Sequence, residues 1–447
     1  MRTALTWIAA LIVGLLCVAG GVLWLAPPAE LRVATNYAAK IVCTNVFWAD
    51  RDAQDVLEVD VQAPGHPLLR FVSASVDPER GQVQTRIFGL FAPATAQMRP
   101  GLGCANVQGE PPATAAGIST EIALPPAEAL WPDGQAVTPL RNAALDAVLN
   151  DPALLGPGYR GVVIVKDGRI LAERYGAGFD EATPLLGWSM TKTVTAALIG
   201  TLVQSDKLAL EAPLTGSFPA WAADGRAEIT LSDMLSMTSG LAWNEGYGSV
   251  SDVTRMLYLE GDMAGFAASL PLEAAPGASF AYSSGTSTML ARVWQDAVGE
   301  SSLSYPQRAL FEPLGMASAV MEADANDTFV GSSYMYATAR DWARFGMMLA
   351  RGGQWDGEQI VPEAFVARMA APVGPSDGRY TQGQMWREAG RDQAPIEDGV
   401  WMRGHDGQFV GVFPDRDLVI VRLGLTPTAH GYTPAPLARA VIAALDG

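Results

Sequence analysis

Gly187-Trp188-Ser189-Met190-Thr191-Lys192-Thr193-Val194, continuing to Gly200, opens as a turn and then reads as a helix. On a helix, residues three apart share a face, so Lys192 can reach the Ser189 hydroxyl. The positive end of the helix favours an alkoxide at Ser189 and lowers the pKa of Lys192. The free amide of Ser189 points to where a tetrahedral oxyanion would form. These are the parts of a serine nucleophile activated by a lysine. The pair stands out because only four lysines occur in 447 residues: Lys40, Lys166, Lys192 and Lys207. The bland alternative is an N-cap serine beside a solvated lysine.

Two more stretches could complete such a site. Pro276–Ser284 carries Tyr282 in a turn rich in small residues and hydroxyls. Beside an ammonium a tyrosine's pKa falls below its free value, so Tyr282 is expected to serve as a general base. Gly404-His405-Asp406-Gly407-Gln408 precedes an apolar run and would line a sheet edge with backbone amides, with His405 as a polar contact.

Around them the sequence reads as an α+β body. A hairpin is expected over Gly161–Tyr175, turning at Lys166-Asp167-Gly168. Helices are expected at Ser189–Gln204, Leu231–Met237, Thr286–Val298 and Ala339–Arg351, with a short one around Leu145 and Val148. Strands Phe409–Phe413 and Leu418–Leu423 and a helix over Ala435–Leu445 close the chain, so one sheet should join both ends of the body. Upstream, residues 55–92 alternate like strands, and residues 105–138 are rich in Ala, Pro and Gly.

The chain starts with 23 uncharged residues, Ala4–Ala26, flanked by Trp7 and Trp24 near the two ends. As a helix they would be about 34 Å long, enough to cross a bilayer. The expected division is a membrane anchor over 1–28 (or a cleaved signal peptide), a small β-rich module over 29–104, a linker over 105–138 and the catalytic body over 139–447. Either reading of the amino terminus sends the body out of the cytoplasm, on the periplasmic side if a second membrane is present. There Cys43 and Cys104 can hold a disulfide, the alternative being two small buried thiols. The net charge of −17 argues against a nucleic-acid partner. With three histidines and three cysteines at no ligand spacing, the sequence calls for no metal.

The three site stretches, taken with ITLSDMLSMTSGL (229–241), LFEPLGM (310–316) and ATARDWARFGMMLARGG (337–353), resemble the serine β-lactamase and penicillin-recognising superfamily, in its class C-like branch. Within it the chain is similar to 6-aminohexanoate-dimer hydrolases and related esterases, over about Tyr159 to Asp446. The resemblance implies a serine β-lactamase-like fold, an antiparallel sheet flanked by helices with a mostly helical subdomain. It makes Ser189 the acylated nucleophile, Lys192 its partner, Tyr282 base and acid, and the amides of Ser189 and Gln408 the oxyanion hole. No cofactor is implied. His405-Asp406-Gly407 stands where that family's β-lactamases usually carry Lys-Thr-Gly, and Ser284 where the tyrosine motif usually ends in asparagine, so these four are expected to face substrate. The expected activity is an acyl-enzyme hydrolase of small esters or amides, anchored at the membrane. The alternatives are a β-lactamase, a D-amino-acid-specific peptidase acting on cell-wall peptides, and a catalytically silent envelope binding protein.

Overall fold

A computed structural model describes residues 2–109, 122–138, 142–390, 394–396 and 399–447. The chain divides into two units. One holds Met1–Arg99, Cys104–Ala113 and Gly246–Gly261; the other holds Pro100–Gly103, Thr114–Glu245 and Asp262–Gly447.

The first unit begins with helix α1 (Arg2–Leu25) and helix α2 (Ala29–Phe47), separated at Pro27-Pro28. The transmembrane helix expected at 1–28 is not supported: among the described residues no helix is long and apolar enough to cross a membrane. Four antiparallel strands follow in chain order, β1 (Val72–Asp77), β2 (Gln82–Ile87), β3 (Phe91–Arg99) and β4 (Gly103–Asn106). Val83, Thr85 and Ile87 are buried on one face of β2, as the alternation requires.

The β-rich reading of this module needs correction in its first half, which is helical. Val56–Gln62 forms a π-helix, because Val56, Leu57, Asp60 and Val61 bury one helical face. In α2, Cys43 is joined to Cys104 by a disulfide, Lys40 donates to the Cys104 carbonyl, and Thr85 donates to the Thr35 carbonyl at 2.7 Å. The helix Asp252–Leu259 belongs to this unit, with Tyr258 meeting Tyr37 edge to face at 5.5 Å.

The second unit is built on a five-stranded antiparallel sheet. Helix α3 (Ala143–Asn150) ends before Asp151-Pro152, and strands β5 (Tyr159–Lys166) and β6 (Arg169–Tyr175) form the expected hairpin. Asp167 and Gly168 both take positive φ, 50° and 74°, the geometry an Asp-Gly hairpin turn favours. Helix α4 (Thr191–Gln204), helix α5 (Ser284–Val298) and helix α6 (Ala339–Ala350) form the middle of the chain. Strands β7 (Val400–Arg403), β8 (Phe409–Phe413) and β9 (Leu418–Gly424) then complete the sheet in the order β7-β8-β9-β5-β6, and helix α7 (Ala435–Asp446) closes the chain.

Both faces of this sheet are covered, which is why β8 and β9 read as largely apolar runs, broken in β9 only by the buried Arg422. On one face Val162, Ile164, Phe409, Phe413 and Ile420 pack with Leu145, Leu149, Leu437 and Val441. Against the other lies α6, so close at Gly346 that a Cβ there would meet Val419 and Val410 at 2.8 and 2.9 Å.

The described end of the expected linker is tied down. Arg169 donates to the Trp131 carbonyl, Arg340 to that of Gln135, and Arg344 to those of Pro132 and Gly134. Residues 110–121 of the linker, and Pro139 where the body was expected to start, lie outside the described residues.

Candidate active site

Trp188 carries the local strain of the site. Its φ of 48° is rare for a bulky residue, and the buried indole holds it there. This kink turns Ser189 out of the short strand Leu185–Leu186 into a 3₁₀ turn, Trp188–Met190, one step before α4. Ser189 therefore precedes the helix instead of opening it.

Lys192, in the first turn of α4, is almost fully buried. Its Nζ lies 3.0 Å from Ser189 Oγ, 3.0 Å from Ser284 Oγ and 2.9 Å from the Ser332 carbonyl. Burial pushes its pKa down to about 8, against the attraction of Glu245, which raises it. A half-buried serine hydroxyl thus faces an amine that is neutral in an appreciable fraction of molecules at neutral pH.

Tyr282 sits in the turn before α5, with Lys192 Nζ over its ring at 4.9 Å. Tyr380 packs against it edge-on at 5.8 Å and Trp386 at 5.5 Å. The expected phenolate is corrected here. Burial, then the charge of Glu245, raises the Tyr282 pKa, more than its hydrogen bond with Ser189 and the nearby Arg403 lower it. Tyr282 therefore holds its proton more tightly than a free phenol does.

The 404–408 turn approaches the nucleophile from the edge of the sheet. The Cα of Gly404 is so near the Gly187 carbonyl that a Cβ would lie 2.2 Å from it. Asp406 and Gly407 take φ of 56° and 83°, which bends the turn, and Arg422 holds it by donating to the Gly407 carbonyl at 2.8 Å. The Gln408 side chain is spent on Gly424, accepting from its amide at 2.8 Å and donating to its carbonyl. Among the described residues neither the Ser189 nor the Gln408 amide donates to another residue, so both are available to an oxyanion. The structure therefore brings Ser189, Lys192 and Tyr282 together, with the 404–408 turn packed against Gly187 beside them.

The expected substrate contacts divide. His405 is half-buried, edge-on to Trp188 at 5.7 Å, with Nε2 3.4 Å from Asp406 Oδ1. Burial raises the Asp406 carboxyl pKa, opposed by His405 and Arg160. Ser284 needs correction: it is fully buried, and its hydroxyl is engaged by Lys192 and by Glu245 Oε1 at 2.5 Å. It acts on the lysine and not on substrate.

Glu245 was missed from the sequence. Its Oε2 accepts from the Ser284 amide at 2.8 Å and from Trp243 Nε1 at 2.5 Å. The available signal was a lone acidic residue directly after Trp243-Asn244, four residues beyond Leu241 at the end of the quoted 229–241 stretch.

Residues 156–444 match the model of the beta-lactamase family. The chain is 24% identical over 289 residues to a 6-aminohexanoate-dimer hydrolase from Paenarthrobacter ureafaciens, covering 59% of this chain and 72% of that protein. It is 31% identical over 195 residues to the esterase EstB from Burkholderia gladioli, covering 39% of this chain and 49% of that one, about half its length. Among solved structures it is similar to a family VIII carboxylesterase, with a TM-score of 0.56 at 16% identity, covering 69% of this chain and 99% of that structure.

Proposed function

The chain belongs to the beta-lactamase family, and from that premise we propose that it is an exported serine hydrolase that cleaves small uncharged esters or amides through an acyl-enzyme on Ser189. The observation that carries this reading is the 3.0 Å approach of Lys192 Nζ, largely stripped of water, to Ser189 Oγ. The relatives named as a 6-aminohexanoate-dimer hydrolase and an esterase support this reading.

In the first step Lys192 takes the Ser189 proton as Oγ bonds to the substrate carbonyl carbon, and the oxyanion settles between the amides of Ser189 and Gln408. The carbonyl–leaving-group bond then breaks, Tyr282 gives its proton to the departing oxygen or nitrogen, and the lysine ammonium restores the phenol. Water repeats the sequence on the acyl-enzyme, giving the acid and free Ser189. At the 405 position a histidine replaces the permanent cation that suits a substrate carboxylate, which weakens selection for carboxylate-bearing β-lactams.

Export is supported by the charge-free run Ala4–Ala26 and by the Cys43–Cys104 disulfide, which persists in an oxidising compartment. In fractionated cells the body stays with the membranes if residues 1–26 are retained and is released if they are cleaved; a cytoplasmic body refutes export.

Two measurements test the chemistry. A fluorophosphonate should add to Ser189 by intact mass, and Lys192→Ala or Tyr282→Phe should each cost at least about tenfold in kcat. At pH 7.5, p-nitrophenyl butyrate should exceed nitrocefin in kcat/KM by at least about a hundredfold. Comparable values would replace the esterase reading with a β-lactamase one, and an unlabelled Ser189 would favour the silent binding protein.

A further inference from the structure

Three oxygens surround Lys192 Nζ: Ser189 Oγ, Ser284 Oγ and the Ser332 carbonyl, all at 2.9–3.0 Å. An ammonium can donate to all three. A neutral amine has only two N–H bonds and one lone pair, so one oxygen must face the lone pair. The Ser332 carbonyl can only accept, which claims one N–H. Ser284 has a single O–H, and it is committed to Glu245 Oε1 at 2.5 Å, because a carboxylate only accepts. Toward the lysine Ser284 therefore also accepts, and claims the second N–H. The lone pair is left to Ser189, whose proton it must take.

We propose that Glu245 is a positioning residue that, through Ser284, fixes the direction of this hydrogen-bond chain so that neutral Lys192 presents its lone pair to Ser189. Glu245 is held for that role by the Ser284 amide and Trp243 Nε1, both donating to Oε2. The proposal rests on Ser189 being the nucleophile and Lys192 its base.

Glu245→Gln gives a sharp consequence. The Ser284 amide and Trp243 still need an acceptor, so the glutamine carbonyl takes the Oε2 place and its NH₂ faces Ser284 Oγ. Ser284 must then turn its own O–H toward Lys192, where it competes for the lone pair. Removing that hydroxyl as well removes the competitor.

The titratable groups facing the lysine are Glu245 and Tyr282, with Arg403 and Tyr380 acting on Tyr282 or Glu245 behind them. Glu245 is the one that raises the lysine pKa, so its neutralisation should move the acid limb of kcat/KM to lower pH.

The experiment measures p-nitrophenyl butyrate kinetics for wild type, Glu245→Gln, Ser284→Ala and the double variant, each first shown to take up a fluorophosphonate at Ser189. Glu245→Gln should lose about 30-fold or more in kcat with KM within about threefold, and its acid limb should move down. Ser284→Ala should lose only about five- to tenfold, and the double variant should match Ser284→Ala, hence be faster than Glu245→Gln. A double variant no faster than Glu245→Gln, or a Glu245→Gln enzyme with kcat within threefold of wild type, overturns the proposal while leaving the nucleophile in place. If Glu245→Gln does not fold, Ser284→Ala decides, and an unchanged kcat overturns it. Failure of wild-type labelling, or a Lys192→Ala loss under tenfold, instead overturns the reading beneath it.

Discussion

Raising the pH through the titration of Lys192 should switch the enzyme on, and the structure sets how steeply. The working form is the neutral amine, so kcat/KM follows the unprotonated fraction and climbs with pH. With a pKa of about 8 that fraction is about a hundredth at pH 6, about a tenth at pH 7, half at pH 8 and about nine-tenths at pH 9. A lysine left at its ordinary value would be neutral in roughly one molecule in 3,000 at pH 7. Burial thus multiplies the available base by about 300. Tyr282, pushed the other way, keeps its proton throughout and adds no descending limb below about pH 10. Initial rates on p-nitrophenyl butyrate, corrected for spontaneous hydrolysis, should rise about 90-fold from pH 6 to pH 9 with one midpoint near 8. His405→Asn should leave that midpoint where it is. An ascending limb that disappears in His405→Asn would make the histidine the base and refute the assignment.

The disulfide and the buried arginine give two further tests. Replacing Cys43 and Cys104 by serine opens a loop of 61 residues and should cost roughly 4 kcal/mol in denaturant unfolding; free thiols in exported protein, found by non-reducing peptide mapping, would rule the bond out. Arg422→Met strips donors from the carbonyls of Leu155, Gly407 and Pro157, so the turn bearing the Gln408 amide should loosen and kcat fall at least about tenfold with KM little changed; an unaltered kcat would separate Arg422 from the oxyanion hole.

Much of the second unit was legible because its signals are local. Apolar runs bounded by Lys166-Asp167-Gly168 and Pro414-Asp415-Arg416-Asp417 mark β5, β6, β8 and β9, and Ser189 and Lys192 stand three residues apart. Helix α2 was not legible because polar residues are mixed into its buried face: Thr35, Asn36, Lys40, Thr44 and Asn45 break up the apolar stripe that marks a helix. Four of them return their side chains to carbonyls three or four residues earlier, which satisfies those donors inside the fold. Val56–Gln62 misled in the opposite sense, since Val-Leu-Glu-Val-Asp-Val-Gln alternates like a strand while its burial follows a helix.

The charge states at the site could not be read locally. Tyr282 stands next to serines in the chain, and only the fold surrounds it with Tyr380 and Trp386 and brings up Glu245. That environment holds the phenol's proton more tightly than the sequence implied, and the same burial makes the Lys192 ammonium easier to deprotonate. The two departures from the family pattern then have separate consequences. Ser284 faces inward, where a hydroxyl can relay between an amine and a carboxylate, so its substitution bears on the base. His405 lies half-exposed on Trp188, where, under the proposed function, it bears on selectivity. Chemistry and selectivity are therefore tuned at different positions, and a change at 405 can alter the substrate while the Ser189–Lys192–Ser284–Glu245 chain keeps its direction.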